Sequence, residues 1–170
     1  DSGVAMCAIL ALGIVAAGTN NSRVAGLLRQ LADFYSREAN QLFVVRIAQG
    51  LLHAGKGLMS FSPFHSDGLL MSHSGVAGLL TVLHAAIDMP HTLLDKTHYL
   101  LYALSLAMNP RLLICLDEEL NTLQTSVRVG QAVDTVGLAG KPKAISGFQT
   151  HTTPVLLGVG DRAELANDRY

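Results

Sequence analysis

The sequence has no tryptophan, few aromatic residues (5%) and few charged residues (15%), whereas an average soluble domain carries about 25% charged residues. Its 12 lysine and arginine residues are spread along the chain, so it lacks the basic patch that nucleic-acid binding requires. The low charge content and a mean hydropathy of +0.35 indicate a surface that other protein partly covers. We therefore interpret the chain, which begins with Asp1, as a fragment of a larger protein without a nucleic-acid partner.

Long apolar segments are also missing. The longest apolar run, residues 4–17, is shorter than the roughly 20 residues that a transmembrane helix needs, and no basic segment precedes it as in a signal peptide. We therefore expect no membrane partner. The two cysteines, Cys7 and Cys115, lie in apolar runs, which favours buried free thiols in a reducing compartment over a disulfide.

The stretch 5–21 is apolar and rich in small residues, and it predicts a helix that is buried on every side. Gly13 lies in its middle, where glycine costs about 1 kcal/mol relative to alanine, so we expect another backbone to approach closely there. Gly18 lies where a residue in the left-handed conformation ends a helix. Asn20 or Asn21 is then expected to cap the next helix.

The same pattern returns 37 positions later, because Ala11-Leu12-Gly13 matches Ala48-Gln49-Gly50 and Gly18 matches Gly55. Helical repeats of this length are typical of solenoids, in which each unit buries its apolar face only against its neighbours. We assign six structural repeat positions: Ala11, Gly13, Gly18, Ala48, Gly50 and Gly55.

The spacing of apolar residues predicts further helices over 22–36, 42–54, 69–87 and 96–108, with a turn at 39–41, a glycine-rich end at 55–57 and a loop at 58–68. We expect Ser66 or Asp67 to cap the helix that begins at residue 69. Its predicted core residues are Val76, Leu79, Leu80, Leu83 and Ile87.

After Pro110 the composition changes, because valine, threonine and glycine replace leucine and alanine. Alternation and turn residues predict strands over 111–116, 127–133, 143–150 and 152–159, with 162–166 returning as a hairpin. The expected fold is therefore mainly α: a superhelical solenoid over residues 1–109, followed by a small β-rich region over 110–170.

The A-L-G-x4-G-T pattern at 11–19, with its echo at 48–56, resembles the proteasome/cyclosome repeat. That repeat occurs in the two largest non-ATPase subunits of the proteasome regulatory particle and in the largest cyclosome subunit. The segments DEEL (117–120), SVRVGQAV (126–133) and GFQTHTTPVLL (147–157) resemble the C-terminal part of one of the two proteasome subunits, a subunit of the base. The similarity covers essentially the whole chain.

This resemblance implies the end of a closed helical toroid with a β-rich tail, and a non-catalytic scaffold beside the ATPase ring, in the cytoplasm and nucleus. The implied partners are other regulatory-particle subunits and, through the full-length protein, ubiquitin, ubiquitin-like domains of shuttle receptors and a deubiquitinase. No partner-binding residue is carried over, because no matching motif is present. The alternatives are the other large repeat subunit of the same particle and an unrelated helical-repeat adaptor.

Candidate catalytic and metal-binding residues do not form a recognisable pattern. The seven histidines include no HxxxH pair and the cysteines no CxxC pair, so we predict no metal site. The run His65-Ser66-Asp67 contains the residue types of a catalytic triad, but triads are assembled in space rather than by adjacency. The segment 140–143 lacks the spacing of a phosphate-binding loop. We interpret Asp117-Glu118-Glu119 as a polar turn, with an acidic docking patch as the alternative, and we expect neither a cofactor nor an enzyme.

Overall fold

The computed structural model describes residues 1–65, 70–133, 144–158 and 160–166. Contacts between Cα atoms divide the chain into two compact units, Asp1–Asn109 and Pro110–Tyr170. The first unit is mainly helical, and the described part of the second consists of strands and turns. Within the described ranges, no helix combines the length and the apolar character that a membrane crossing requires.

Over its described residues, the helical unit contains four α-helices and one long 3₁₀ helix: α1 Ser2–Val15, α2 Ser22–Phe34, α3 Ala39–Leu52, α4 His73–Ile87 and the 3₁₀ helix His98–Ala107. Short 3₁₀ turns follow α3 at Ala54–Gly57 and α4 at Met89–His91. Strand β1 (Met59–Phe61) pairs with β2 (Met108–Pro110). The loop that we predicted at 58–68 therefore begins with a strand, and α3 begins at the residues that we predicted as a turn.

Polar side chains fix the beginning of two helices. The Asn21 side-chain oxygen accepts from the backbone N–H groups of Arg23 (3.0 Å) and Val24 (3.2 Å), so Asn21, and not Asn20, caps α2. These bonds satisfy amides that have no partner within the helix.

The prediction that Ser66 or Asp67 caps α4 is wrong. Helix α4 begins later than we expected, at His73, and the hydroxyl of Ser72 accepts from the Gly75 N–H (3.2 Å). Residues 66–69 themselves lie outside the described ranges. Serine is a strong N-cap residue at either place, and the sequence pattern did not distinguish the two.

The prediction that the first helix is buried on every side is also wrong. The fully buried side chains of the unit include Leu28, Val45, Leu52, Val82 and Met89, and α1 turns only one face towards this core. On its other face Val4 is 66% exposed and Val15 is 83% exposed. A helix that is apolar all round is buried only on the sides against which other elements pack.

Helix α4 buries only part of the face that we predicted. Its buried residues are Gly75, Gly78, Val82 and Ala85. Of the five predicted core residues, Val76 and Leu79 are half-buried and Leu79 packs against the core, whereas Leu80, Leu83 and Ile87 are exposed. A Cβ at Gly78 would overlap the carbonyl oxygen of Ala103 in the 3₁₀ helix. The small-residue face is buried because it lets two backbones meet, an effect that a count of large apolar residues does not capture.

The described part of the second unit contains three small antiparallel sheets. Its strands are β3 Leu112–Leu113, β4 Cys115–Leu116, β5 Thr122–Leu123, β6 Ser126–Val133, β7 Ala144–Thr152, β8 Val155–Leu156 and β9 Asp161–Leu165. They form the pairs β3–β8 and β4–β5 and the three-stranded sheet β7-β6-β9. Segment 111–116 is thus two strands rather than one, and β9 pairs with β6 instead of forming a hairpin with the segment before it.

Strand β6 shows the alternation that its sequence predicts. Val127 and Val129 are buried on one face, at 2% and 8% exposure, and Arg128 between them lies on the other, with its guanidinium carbon 5.4 Å from the centre of the Phe148 ring. Among the described residues, Cys7 and Cys115 are free thiols and both are half-buried.

Candidate functional site

Small residues bring α1 and α3 into close contact. Gly13 is buried, and a Cβ there would lie 2.7 Å from Ala48 Cα and 2.9 Å from Ala48 Cβ. Real Cβ atoms do not approach so closely, so only glycine allows this separation of the two helices. The close approach that we predicted at Gly13 is confirmed, and its partner is a residue of the second repeat.

The loop after α1 binds the carboxyl end of α3. The Gly18 N–H donates to the Leu51 carbonyl oxygen (3.0 Å), and the Asn20 N–H donates to the Leu52 carbonyl oxygen (3.3 Å). Carbonyls in the last turn of a helix have no amide partner within it, so the first repeat supplies donors that the end of α3 needs. Gly18 has φ +66°, the left-handed conformation that we predicted. A Cβ there would overlap the Met59 carbonyl oxygen.

Asn20 adds side-chain contacts to the same interface. Its side-chain oxygen lies 2.6 Å from His53 Nδ1, and since an amide oxygen only accepts, the proton of this bond lies on Nδ1. Its side-chain nitrogen donates to the Lys56 carbonyl oxygen (3.4 Å). A Cβ at Gly57 would overlap this amide, so Gly57 makes room for it. Sequence reasoning missed the pair Asn20 and His53; the signal was that Gly57 stands opposite Asn20 in the repeat alignment.

The other repeat positions have different surroundings. Ala48 is fully buried, whereas Ala11, its counterpart in α1, is exposed. Gly50 is exposed, and a Cβ there would meet no atom within 4 Å. Gly55 has φ +56°, and a Cβ there would overlap the Met59 side chain. The structure therefore brings Gly13, Gly18 and Ala48 together, and leaves Ala11 and Gly50 outside this contact.

Gly50 faces a half-open apolar cleft between α3 and the 3₁₀ helix His98–Ala107. The cleft has a volume of about 300 Å³, and its walls include Gly50, Leu51, Phe61, Leu101, Leu104 and Met108. Arg46 and Tyr102 also border it. The side chain of Arg46 donates to Gln49 Oε1 (2.8 Å). The cleft is mainly apolar because most of its lining side chains are aliphatic or aromatic.

Titratable side chains offer little chemistry where the structure describes the chain. No group of three His, Cys, Asp or Glu residues within the described ranges is arranged to hold a metal ion. His91 Nδ1 lies 2.8 Å from the Asp88 carboxylate on the surface, and this hydrogen bond raises the pKa of His91 above its ordinary value. Ser66 and Asp67 of the run beginning at His65 and the whole segment 140–143 lie outside the described residues.

The acidic run in the second unit forms the turn between β4 and β5. The Asp117 carboxylate accepts from the Asn121 backbone N–H (2.7 Å) and from the Asn121 side-chain amide (3.3 Å). Backbone bonds from the Asp117 N–H to the Asn121 carbonyl oxygen (3.0 Å) and from the Leu120 N–H to the Asp117 carbonyl oxygen (3.1 Å) close the same turn. Asp side chains often stabilise turns in this way, which agrees with the interpretation of this run as a polar turn.

Two family models match the chain. The proteasome/cyclosome repeat matches residues 8–41, which include most of α1, all of α2 and the start of α3. The C-terminal model of the 26S proteasome non-ATPase regulatory subunit RPN1 matches residues 136–170. The first match contains Gly13 and Gly18, two of the residues that form the contact between the repeats.

Individual relatives are similar over the whole chain. The chain is 58% identical over 170 residues to 26S proteasome non-ATPase regulatory subunit 2 homolog A of Arabidopsis thaliana and 59% identical over 170 residues to 26S proteasome non-ATPase regulatory subunit 2 of Dictyostelium discoideum. It is also 58% identical over 170 residues to 26S proteasome regulatory subunit rpn-1 of Neurospora crassa. Over its whole length, the chain is therefore highly similar to 26S proteasome non-ATPase regulatory subunit 2 of several species. These alignments cover 100% of the chain but 19% of each relative.

This similarity agrees with the segments that resemble the base subunit. The repeat model, which matches residues 8–41, fits a solenoid of helices, and α1 in this range packs against α3, where we predicted the second repeat. The course of the helical unit as a superhelix or a toroid stays a prediction, and so does the assignment of the six repeat positions.

Proposed function

We propose that this chain is a non-catalytic scaffold segment of the base of the proteasome regulatory particle, present in the cytoplasm and nucleus. In this role it contacts other regulatory-particle subunits, including the ATPase ring. Through the full-length protein it supports the docking of ubiquitin, ubiquitin-like shuttle receptors and a deubiquitinase during ubiquitin-dependent degradation. The observation that carries the proposal is the identity of 58–59% along the entire chain to proteins named as regulatory subunits.

The geometry of the repeat contact suits a scaffold. Gly13 and Ala48 allow the backbones of α1 and α3 to lie close together. The backbone N–H groups of Gly18 and Asn20 donate hydrogen bonds to carbonyl oxygens at the end of α3. Contacts between backbones leave little freedom to repack, because packed interiors are dense and barely compressible. Such an element keeps its shape while its exposed faces contact other subunits.

The test uses the full-length protein that carries this sequence. Affinity purification from cells should recover ATPase-ring subunits together with the tagged protein. The Gly13→Val variant should incorporate less, because valine cannot fit against Ala48, whereas Gly50→Val should incorporate normally, because Gly50 lies in open space. Purification that recovers no ATPase-ring subunit would contradict the proposal and favour an unrelated helical-repeat adaptor.

A further inference from the structure

A second cleft of the helical unit lies between the beginning of α3 and the segment that leads into the 3₁₀ helix His98–Ala107. Its volume is about 310 Å³, near the lower end of the range for ligand pockets. We call it the Asp95 cleft. Unlike the cleft beside Gly50, it combines apolar and polar lining residues, which are Asn40, Phe43, Leu93, Leu94, Asp95 and His98.

The apolar lining residues of the Asp95 cleft are held in place by the core of the unit. Leu93 is 2% exposed, and Leu94 packs against the same core. Phe43 is 40% exposed, so its ring is accessible from outside. An accessible aromatic ring beside fixed aliphatic side chains suits a ligand that has both a hydrocarbon stem and a cationic end.

The polar lining residues offer hydrogen-bond acceptors. His98 Nδ1 lies 3.1 Å from the backbone carbonyl oxygen of Asp95. Since a carbonyl only accepts, the proton of this bond lies on Nδ1, and Nε2 of the neutral ring is an acceptor. Among the described residues, the Asp95 carboxylate has no hydrogen-bond partner, so its oxygens are available to a ligand. The side-chain amide of Asn40 can add a further acceptor oxygen.

The charge of the cleft favours a cation. Apart from the titratable His98, Asp95 is the one charged residue among the described lining residues. The amino end of α3 contributes a partial positive charge of roughly half a unit, but Glu38, the N-cap residue of α3, opposes it with a full negative charge. The neighbouring cations Arg37 and Lys96 do not line the cleft.

We propose that the Asp95 cleft binds the side chain of an arginine that a partner protein presents. The guanidinium group donates to the Asp95 carboxylate and to Nε2 of His98. Its plane stacks on the Phe43 ring, and the methylene stem packs against Leu93 and Leu94. This inference goes beyond the scaffold function and does not require it, because the cleft selects a type of side chain and not a particular assembly.

Arginine fits this set of groups better than other ligands do. Its planar guanidinium has five N–H donors in fixed directions, so it can donate to a carboxylate and a second acceptor while it stacks on an aromatic ring. The ammonium group of lysine is more strongly hydrated and does not stack in this way. Charge complementarity with Asp95 selects a cation over an apolar segment, and the apolar lining selects a cation that has a hydrocarbon stem.

The test uses the full-length protein that carries this sequence and measures ligand binding by saturation-transfer NMR. The probe is N-acetyl-arginine N-methylamide, which presents the side chain as it occurs within a protein chain. The control probe is the citrulline analogue, which has nearly the same shape and no charge. The arginine probe should bind saturably, and the citrulline probe should bind at least about tenfold more weakly, because it cannot form a charge-assisted bond to a carboxylate.

Three variants of the full-length protein locate the binding. Asp95→Asn should weaken binding of the arginine probe by about tenfold, and Phe43→Leu by about threefold, because it keeps an apolar side chain but removes the ring. The matched control is Asp33→Asn on α2, which removes an exposed carboxylate that does not line the cleft and should leave the affinity unchanged. Because Asp95 is exposed, Asp95→Asn should unfold at the same temperature as the parent.

Equal affinity of the parent and Asp95→Asn for the arginine probe would overturn the proposal. Equal affinity of the arginine and citrulline probes would do the same, since the cleft would then bind by apolar contact alone. Tighter binding of free arginine than of the capped probe would identify a site for a small molecule and contradict the assignment to a partner protein. The recovery of ATPase-ring subunits does not depend on these results, so this inference and the proposed function can fail separately.

Discussion

The two repeat segments of the helical unit share residues at matched positions, and these residues have different surroundings. Gly13 is buried against Ala48, whereas a Cβ at Gly50 would have no atom within 4 Å. Ala48 is fully buried, and Ala11 is exposed. The contact between the two helices is therefore made by the glycine of the first segment and the alanine of the second. The alanine of the first segment and the glycine of the second stay outside it because no element packs against them.

The loops after the two helices differ in a similar way. Gly18 and Gly55 both have positive φ, +66° and +56°. A Cβ at Gly18 would overlap a backbone oxygen, that of Met59, whereas a Cβ at Gly55 would overlap the flexible side chain of the same residue. Glycine is thus required at the first position by its conformation and its packing, and at the second position mainly by its conformation.

The largest expected effect is that of Gly18→Ala. Alanine in the left-handed conformation is strained by about 1–2 kcal/mol, and overlap with the Met59 carbonyl adds a comparable or larger cost. We expect the free energy of unfolding to fall by about 3–4 kcal/mol, against about 1–2 kcal/mol for Gly55→Ala. Urea unfolding followed by helical circular dichroism measures both. Equal losses would show that the two loops are equivalent.

Gly13→Val should have the next largest effect. Valine would be forced against the backbone of α3, and overpacking of this kind costs about 1–3 kcal/mol. Its matched control is Gly50→Val, which should change stability by less than about 0.5 kcal/mol, because valine has room there and is a slightly better helix former than glycine. If the two variants unfold at the same urea concentration, the contact between Gly13 and Ala48 does not stabilise the unit.

Sequence reasoning predicted the features of this interface that depend on local chemistry. Gly13 stands in the middle of a helix at a cost in stability, and that cost pointed to a close approach. Gly18 follows an apolar helix, where a left-handed residue is common. Both expectations follow from the conformational properties of glycine, which are visible in a single sequence.

The features that failed depend on neighbours. The exposed face of α1, which includes Val4 and Val15, was predicted as buried because apolar residues occur all round the helix. The sequence alone does not show which sides of a helix are packed against other elements. In α4 the larger residues Leu80, Leu83 and Ile87 were expected inside, whereas the glycine face is buried against the 3₁₀ helix. The bonds of Asn20 to His53 and Lys56 join residues more than thirty positions apart, a pairing that only the folded chain reveals.

A smaller effect is expected from Asn20→Gly. Glycine retains the positive φ of +50° but removes the side-chain bonds to His53 and to the Lys56 carbonyl, and a typical bond of this kind contributes about 1 kcal/mol. A double-mutant cycle with His53→Ala separates the contribution of the pair from that of each residue. Additive losses would show that Asn20 and His53 do not stabilise each other.

The smallest effect is expected from Ala11→Leu. In this chain the larger side chain extends into solvent, and exposed substitutions usually change stability by less than about 0.5 kcal/mol. The same change at the counterpart position, Ala48→Leu, should cost about 1–3 kcal/mol, because it overpacks the contact with Gly13. Urea unfolding compares the two variants directly. If Ala11→Leu destabilises the chain as much as Ala48→Leu does, then Ala11 is packed against another element in solution. The two alanines would then not differ in burial.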